Sequence, residues 1–449
     1  MMSGKPNRFR KRLVYPLMAL LLFLSSVPSA FAISGVWHSP YGLEDRYVQE
    51  VTERYPQDPV AGENVYIKLK TWPIEPGQAV WVTWTKNGVA QPVINGSWRY
   101  NSASDTYWEI ALGSFAKGDV INFTVRADQY GTNQKTVGPF EFTVAGWESV
   151  ASVSGHTDSS DHVVFDAVPN TGTLSPKLNI SFEADDVFRV QLSPTGTATF
   201  DTGLSNYTLT NNPSHYLIST SELVLKVDKS PFRLSVYEED GTTLITQQYD
   251  SAVNRNMSWL TNGSTIVSKV EDNFYSPTDE KFFGFGERYD NFDKRGEDVE
   301  TYIYNQYLNQ NERTYLAMPY FISSRGYGIL ANSTYYSKFK MATARSDMYG
   351  FTVDTGGSAN SMLDYTFFSG ENIKDVIVNY TDATVKPTLM PKWGFGLWLS
   401  ANEWDRESEV NGVLGNLAAH QIPATSLVLE QWSDEETFYI WNDSTYSPK

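Results

Sequence analysis

Cysteine is absent from all 449 residues. That excludes disulfide staples, thiolate nucleophiles and thiolate metal sites together. Histidine is scarce: His38, His156, His162, His215 and His420 are the full set. They are scattered without ligand spacing, so no metal site is expected. His156 and His162 flank Asp158 and Asp161, in a polar stretch that reads as a solvated loop. Local sequence suggests no Ser-His-Asp arrangement, although sequence order alone does not exclude one. Positive charge is also in short supply. Lys and Arg number 35 against 52 Asp and Glu, for a formal charge of −17. Such a chain is a poor partner for nucleic acid or an anionic membrane surface. No motif calls for a cofactor.

Long apolar runs are missing too. The one near Leu17 to Leu24 is too short to read as a membrane span. Lys5, Arg8, Arg10, Lys11 and Arg12 precede it, and Ala30-Phe31-Ala32 follows. This order of basic, apolar and A-x-A segments reads as a secretory signal peptide over residues 1–32. The mature protein is expected to be secreted, with no membrane contact beyond that signal. The leader holds five basic and no acidic side chains, so its removal takes the charge from −17 to −22. A neutral ligand suits so acidic an exported protein. Export without cysteine fits a bacterial source.

What is abundant is aromatic: 14% of residues, with 13 Trp and 27 Tyr. That composition favours β-rich cores and surfaces that stack on sugar rings. In residues 33–147, Val65, Ile67 and Leu69 alternate with polar neighbours. So do Val80, Val82 and Trp84, then Ile121, Phe123 and Val125. Glu75-Pro76-Gly77 and Lys86-Asn87-Gly88 punctuate them. The pattern predicts an immunoglobulin-like antiparallel sandwich. Trp72, Trp81, Trp84, Trp98 and Trp108 lie in or near its strands. Trp84 joins the inward set and Trp81 points the other way. The domain is therefore either a spacer or a carbohydrate-binding module. Residues 148–160 are polar and read as a linker.

Residues 161–385 again alternate, as in Leu178, Ile180 and Phe182, or Leu223, Leu225 and Val227. Glu239-Asp240-Gly241 predicts a hairpin turn. The first helical pattern appears only at about Asn372 to Tyr380. Beyond Pro387 the pattern changes. Gly394 to Leu399 suits a buried parallel strand. Val410, Val413, Leu414, Leu417 and Ala418 fall at helical spacing, with Asp405 or Ser408 as the cap. Ser426 to Leu429 suits a second buried strand, which completes a right-handed βαβ unit.

Three stretches together resemble glycoside hydrolase family 31, the retaining α-glycosidases and α-glycosyltransferases. They are SELVLKVDKSPFRLSVYEEDGTTLI (221–245), then FFGFGERYDNFDKRGEDVETY (282–302) with MPYFISSRGYGILANST (318–334), and finally PTLMPKWGFGLWLS with IPATSLVLEQW. The resemblance implies a mainly β chain. It would carry the N-terminal sandwich, a galactose mutarotase-like β-sandwich over 161–385, and the first βαβ part of an incomplete (β/α)8 TIM barrel over 386–449. It also implies action on terminal α-linked sugars of oligo- or polysaccharides with retention. In that chemistry one carboxylate attacks the anomeric carbon and another protonates the leaving oxygen. In the family both are aspartates, after the fourth and sixth barrel strands. A complete barrel takes about 250 residues, and only two of its strands are legible here. The catalytic pair is therefore expected beyond Lys449, and the 449-residue chain is expected to be inactive. A non-catalytic carbohydrate-binding or surface protein is the alternative.

Barrel sites form at the C-terminal ends of strands. After the first strand these positions are Trp398, Ser400, Asn402 and Trp404. After the second they are Glu430, Gln431 and Trp432. Glu430 and Trp432 are the leading candidates for sugar contact. Glu430 would accept hydroxyl hydrogen bonds, or serve as a structural ion-pair partner. Trp398 would touch the sugar or fill the barrel core. Many family members with glucosidase activity have Asp-x-Asp where this chain has Glu430-Gln431-Trp432, which weakens a reading of glucose as the sugar. The G-F-G-E-R run at 284–288 lacks the third glycine and helix of a phosphate cradle. It reads as a tight turn with Glu287 paired to Arg288 or Arg295. Family loops of this kind lean over the barrel mouth, which would let Arg288 or Asp290 border a leaving-group subsite.

Overall fold

The structure is a computed structural model that describes residues 33–41, 51–304, 310–358, 360–401, 404 and 406–430. The proposed signal peptide and Trp432 lie outside those residues. The chain divides into two compact units, Met1–Tyr380 and Thr381–Lys449.

The first unit opens with two five-stranded antiparallel sheets facing each other. Strand Asn64–Trp72 buries Val65, Ile67 and Leu69 completely. Strand Gln78–Lys86 turns Val80 and Val82 to the same core, with Trp84 packed at its margin. The predicted alternation is therefore the sandwich interior, with Ile121, Phe123 and Val125 opposite.

Residues 148–160 are not a linker. Strand Gly146–Asp158 runs through most of the segment and pairs with Val163–Pro169 and Ser258–Thr261. Its polar residues misled because they sit on alternate positions of a strand. Val150 and Val153 face the core between them. His156 is likewise not in a solvated loop. Its ring packs edge-on against Tyr216 at 4.9 Å. Glu148 accepts the indole N–H of buried Trp259 at 3.0 Å and pairs with Lys117 of the first sandwich.

This strand belongs to a thirteen-stranded antiparallel sheet, which covers a five-stranded one. The interior takes much of the aromatic content. Trp259, Tyr327, Tyr349, Tyr365, Phe182 and Phe282 are all fully buried. Phe274 stacks on Tyr349 at 5.1 Å, and Tyr327 on Phe367 at 5.4 Å. Such pairs add to the stabilisation from burial alone. The hairpin at Asp240 forms as expected. Its carboxylate accepts the backbone N–H groups of Thr242 and Thr243 at 2.7 and 2.8 Å, and Gly241 supplies φ of 65°. The helix anticipated near Asn372 spans Ile373–Ala383.

In the second unit, strand Trp398–Ala401 pairs in parallel with Ser426–Leu429, and helix Glu407–Ala419 crosses between them. The βαβ unit is present, with two corrections. Gly394 and Phe395 lie in a 3-10 turn, Lys392–Phe395, so the strand starts later than predicted. Ser408 does not cap the helix. Arg406 holds the cap position without a side-chain hydrogen bond, and Asp405 lies outside the described residues. Nor are the strands buried. Trp398 is about half exposed, at 48%, because a two-stranded sheet leaves most of both faces uncovered.

Candidate functional site at the parallel strand ends

A parallel pair in register aligns alternate residues on one face. Ser400 lies opposite Val428, so Trp398, Ser400 and Val428 share a face that continues to Glu430. At its C-terminal edge the Ser400 hydroxyl donates to Oε1 of Glu430. Two residues thirty positions apart thus meet because the crossover helix returns the chain beside its starting strand. Sequence reasoning had each as a strand-end candidate. Their pairing follows only from register.

Trp398 donates its indole N–H to the Gly394 carbonyl at 3.0 Å. Its ring lies 5.9 Å from that of Trp393, tilted by 31°. The turn at Lys392–Phe395 therefore holds the indole across the strand entrance. Trp393 was not singled out from the sequence, and nothing in its local pattern separates it from a core tryptophan. Together the two strands present a hydroxyl, a carboxylate and an indole. That set suits hydrogen bonding to sugar hydroxyls and contact with an apolar sugar face. Asn402, Gln431 and Trp432 lie outside the described residues.

The G-F-G-E-R run is not the expected tight turn: Gly284, Phe285 and Gly286 end strand Phe282–Gly286, which pairs with Ala317–Ser323 through a bulge between Gly284 and Gly286. Gly284, Phe285 and Gly286 have φ of 120°, 69° and 86°. A Cβ on Gly286 would lie 1.9 Å from the Leu316 carbonyl oxygen, so only glycine fits. Phe285 is fully buried between these glycines. The Glu287 N–H bonds the Leu316 carbonyl at 3.1 Å, so it is not offered to a phosphate. Arg288 holds the carbonyls of Phe285, Glu300 and Glu312 at 3.1, 2.6 and 2.8 Å. The expected pairing of Arg295 with Glu287 is not what the fold uses. Arg295 serves Ser276 Oγ and the carbonyls of Glu280 and Ser346, while Glu287 accepts the Tyr289 hydroxyl.

Asp290 pairs with the ammonium of Lys294, whose side chain is only 3% exposed. Glu297 completes that arrangement at 3.5 Å. A buried ammonium needs such counter-ions, so Asp290 has a structural task within its own loop. Among the described residues no group of three or more His, Cys, Asp or Glu side chains converges as a metal site would require.

Comparison with known proteins extends this picture. Residues 37–108 match the family described as Lmo2446-like, N-terminal. Residues 177–339 match the glycosyl hydrolase 31 N-terminal galactose mutarotase-like domain. Residues 387–449 match the glycosyl hydrolases family 31 TIM-barrel domain. An isomaltosyltransferase of Sporosarcina globispora is 62% identical over 435 residues, covering 97% of this chain and 40% of that enzyme. Alpha-glucosidase 2 of Bacillus thermoamyloliquefaciens is 27% identical over 289 residues, covering 61% of this chain and 34% of that enzyme. The solved cycloalternan-forming enzyme of Listeria monocytogenes, in complex with a pentasaccharide substrate, superimposes with a TM-score of 0.83 at 48% identity. It covers 93% of this chain and 39% of its own. The chain thus spans about two fifths of the length of these relatives.

Proposed function

The chain belongs to glycosyl hydrolase family 31, and from that premise we propose that it serves a secreted enzyme acting on α-linked glucans with retention, by transfer of an isomaltosyl unit. The observation that carries this reading is the 62% identity to an isomaltosyltransferase, maintained over 97% of the chain. Hydrolysis of terminal α-linked sugars is the second reading, favoured by the weaker likeness to an α-glucosidase.

In this reading Glu430, held by Ser400, accepts hydroxyl hydrogen bonds of the sugar being transferred. Trp398 borders the same pocket, and Trp432 is assigned to sugar contact from its sequence position alone. Retention needs a nucleophilic carboxylate and an acid/base partner about 5 Å apart. The reading assigns both to later strand ends of a complete barrel. Transfer rather than hydrolysis then depends on whether a sugar hydroxyl or water reaches the glycosyl-enzyme intermediate.

The test is product analysis of the full-length enzyme on α-1,6-linked and α-1,4-linked gluco-oligosaccharides. Longer or cyclic products at the expense of free sugar support transfer. Glucose or isomaltose release alone leaves hydrolysis in its place. The 449-residue chain should give no turnover of aryl α-glucosides, and turnover above background would overturn the assignment of the catalytic pair.

A further inference from the structure

The outer face of the first sandwich carries an aromatic row in which, of the rings singled out from the sequence, only Trp72 takes part. In the sheet containing strand Asn64–Trp72, strand register places Trp37 beside Lys70, Lys70 beside Tyr107, and Tyr107 beside Tyr100. Val65, Ile67, Leu69 and Thr71 point inward, so Lys70 and its row point outward. The row crosses four strands, a span of about 14 Å, longer than one pyranose ring. Tyr100 and Tyr107 stack at 4.7 Å with their planes 19° apart. Trp72 lies on the same face, diagonal to Trp37. Its cross-strand neighbour is Gly35, where an added Cβ would meet nothing within 4 Å. Trp37 is 60% exposed, Trp72 46% and Tyr100 44%.

Large rings left in water on one sheet face are unusual for a surface with no partner. The charges around them are cancelled in pairs. Lys70 meets Asp105 at 2.8 Å, and Arg99 meets Glu109 at 3.6 Å. The face is therefore a neutral platform of rings edged by hydrogen-bonding groups. That complements a neutral polyhydroxylated chain, whose sugar rings have apolar faces and whose hydroxyls need donors and acceptors. It offers no net charge to an anionic or cationic partner.

We propose that this face, centred on Trp37, Trp72 and the Tyr100–Tyr107 stack, is a non-catalytic binding platform for an α-glucan chain. The identity of the polymer rests on the reading of the enzyme as glucan-active. The platform itself rests on the row of rings. It would hold polymer near the enzyme and take no part in bond cleavage.

The experiment is native affinity electrophoresis of the protein in gels containing dextran, with activity of the full-length enzyme on a small aryl α-glucoside measured alongside. Wild type should be retarded. The double variant Trp37→Ala/Trp72→Ala should lose retardation by about fivefold or more in apparent affinity, from two stacking contacts of about 0.5–1.5 kcal/mol each. Its melting temperature and its activity on the small substrate should stay near wild type, because these rings lie outside the core. Trp37→Tyr/Trp72→Tyr should restore most retardation. Equal retardation of wild type and the alanine double variant would overturn the platform. So would a wild-type enzyme that turns over the small glucoside yet runs unretarded, and that result would leave the proposed function intact. An enzyme that neither binds dextran nor acts on α-glucosides would sink both.

Discussion

Asp364 grips the guanidinium of Arg189 through two parallel hydrogen bonds, each 2.8 Å long, between adjacent strands of the large sheet. Asp364 also accepts Gln191 at 2.9 Å and Asn332 at 2.8 Å, and Arg189 reaches Asp201 at 3.1 Å. The pair ties Val187–Ser193 to Leu363–Ser369 on the side of the sheet away from the aromatic core. Arg189→Ala leaves the Asp364 carboxylate, 8% exposed, without its fork. A loss of about 2–4 kcal/mol is expected, because breaking one partner of a largely buried pair strands the other. Arg189→Lys should rescue only part, since an ammonium cannot make the bidentate contact. Urea midpoints for the two variants check both statements.

Asp272 is fully buried and accepts bonds from Gln248, the Met257 and Asn273 backbones, and the Tyr365 hydroxyl. Burial outweighs those donors and pushes its pKa from 3.8 up to about 7. The folded state therefore holds this proton more tightly than the unfolded chain. The contribution to stability is complete below about pH 3.8 and is lost as pH rises through about 7. Melting temperature should carry a falling component across that window. Asp272→Asn should remove it, with a lower stability at acid pH because an amide presents N–H groups to a cage of donors. Scanning calorimetry of both proteins from about pH 5 to about pH 8 reads the difference in slope.

Glu430→Gln in the full-length enzyme should lower kcat/KM by about 10–100-fold, the range for a lost hydrogen bond to a charged acceptor. Ser400→Ala should cost several-fold, because Glu430 then loses a positioning donor and keeps its charge. A variant pair with unchanged kcat/KM on the transfer substrate would remove Glu430 from the sugar pocket.

Strand Gly146–Asp158 should resist limited proteolysis, against what its polar composition suggests. Mass spectrometry of early elastase fragments should find no cut between Gly146 and Asp158, although Val150, Ala151 and Val153 would be open sites in a linker. Glu148→Ala should destabilise by about 2–3 kcal/mol, because it strands the buried Trp259 N–H and removes the partner of Lys117. A denaturant midpoint equal to wild type would show that the contact adds nothing.

Alternation made the sandwiches legible. Val65, Ile67 and Leu69, or Leu178, Ile180 and Phe182, repeat every second residue because a strand presents every second residue to one face. The same period hid the strand at Glu148, where Ser and Thr fill the outward positions and dilute the apolar signal. The candidate site was legible only as residue types. Glu430 and Ser400 were separate strand-end positions until parallel register joined them. Asp290 read as a loop acid, and nothing local showed that Lys294 would be buried beside it.

The sequence by itself determined the family, the β-rich class and the change to βαβ near Pro387, since these depend on short-range pattern and local motifs. Tertiary structure decided which side chains meet. Trp37 and Tyr100 share one outer row, Glu148 links the two sandwiches, and Glu430 receives the Ser400 hydroxyl. Each relation joins residues tens of positions apart. Strand order and register fix such contacts, and both are set by burial over the whole sheet rather than by any local run of residues.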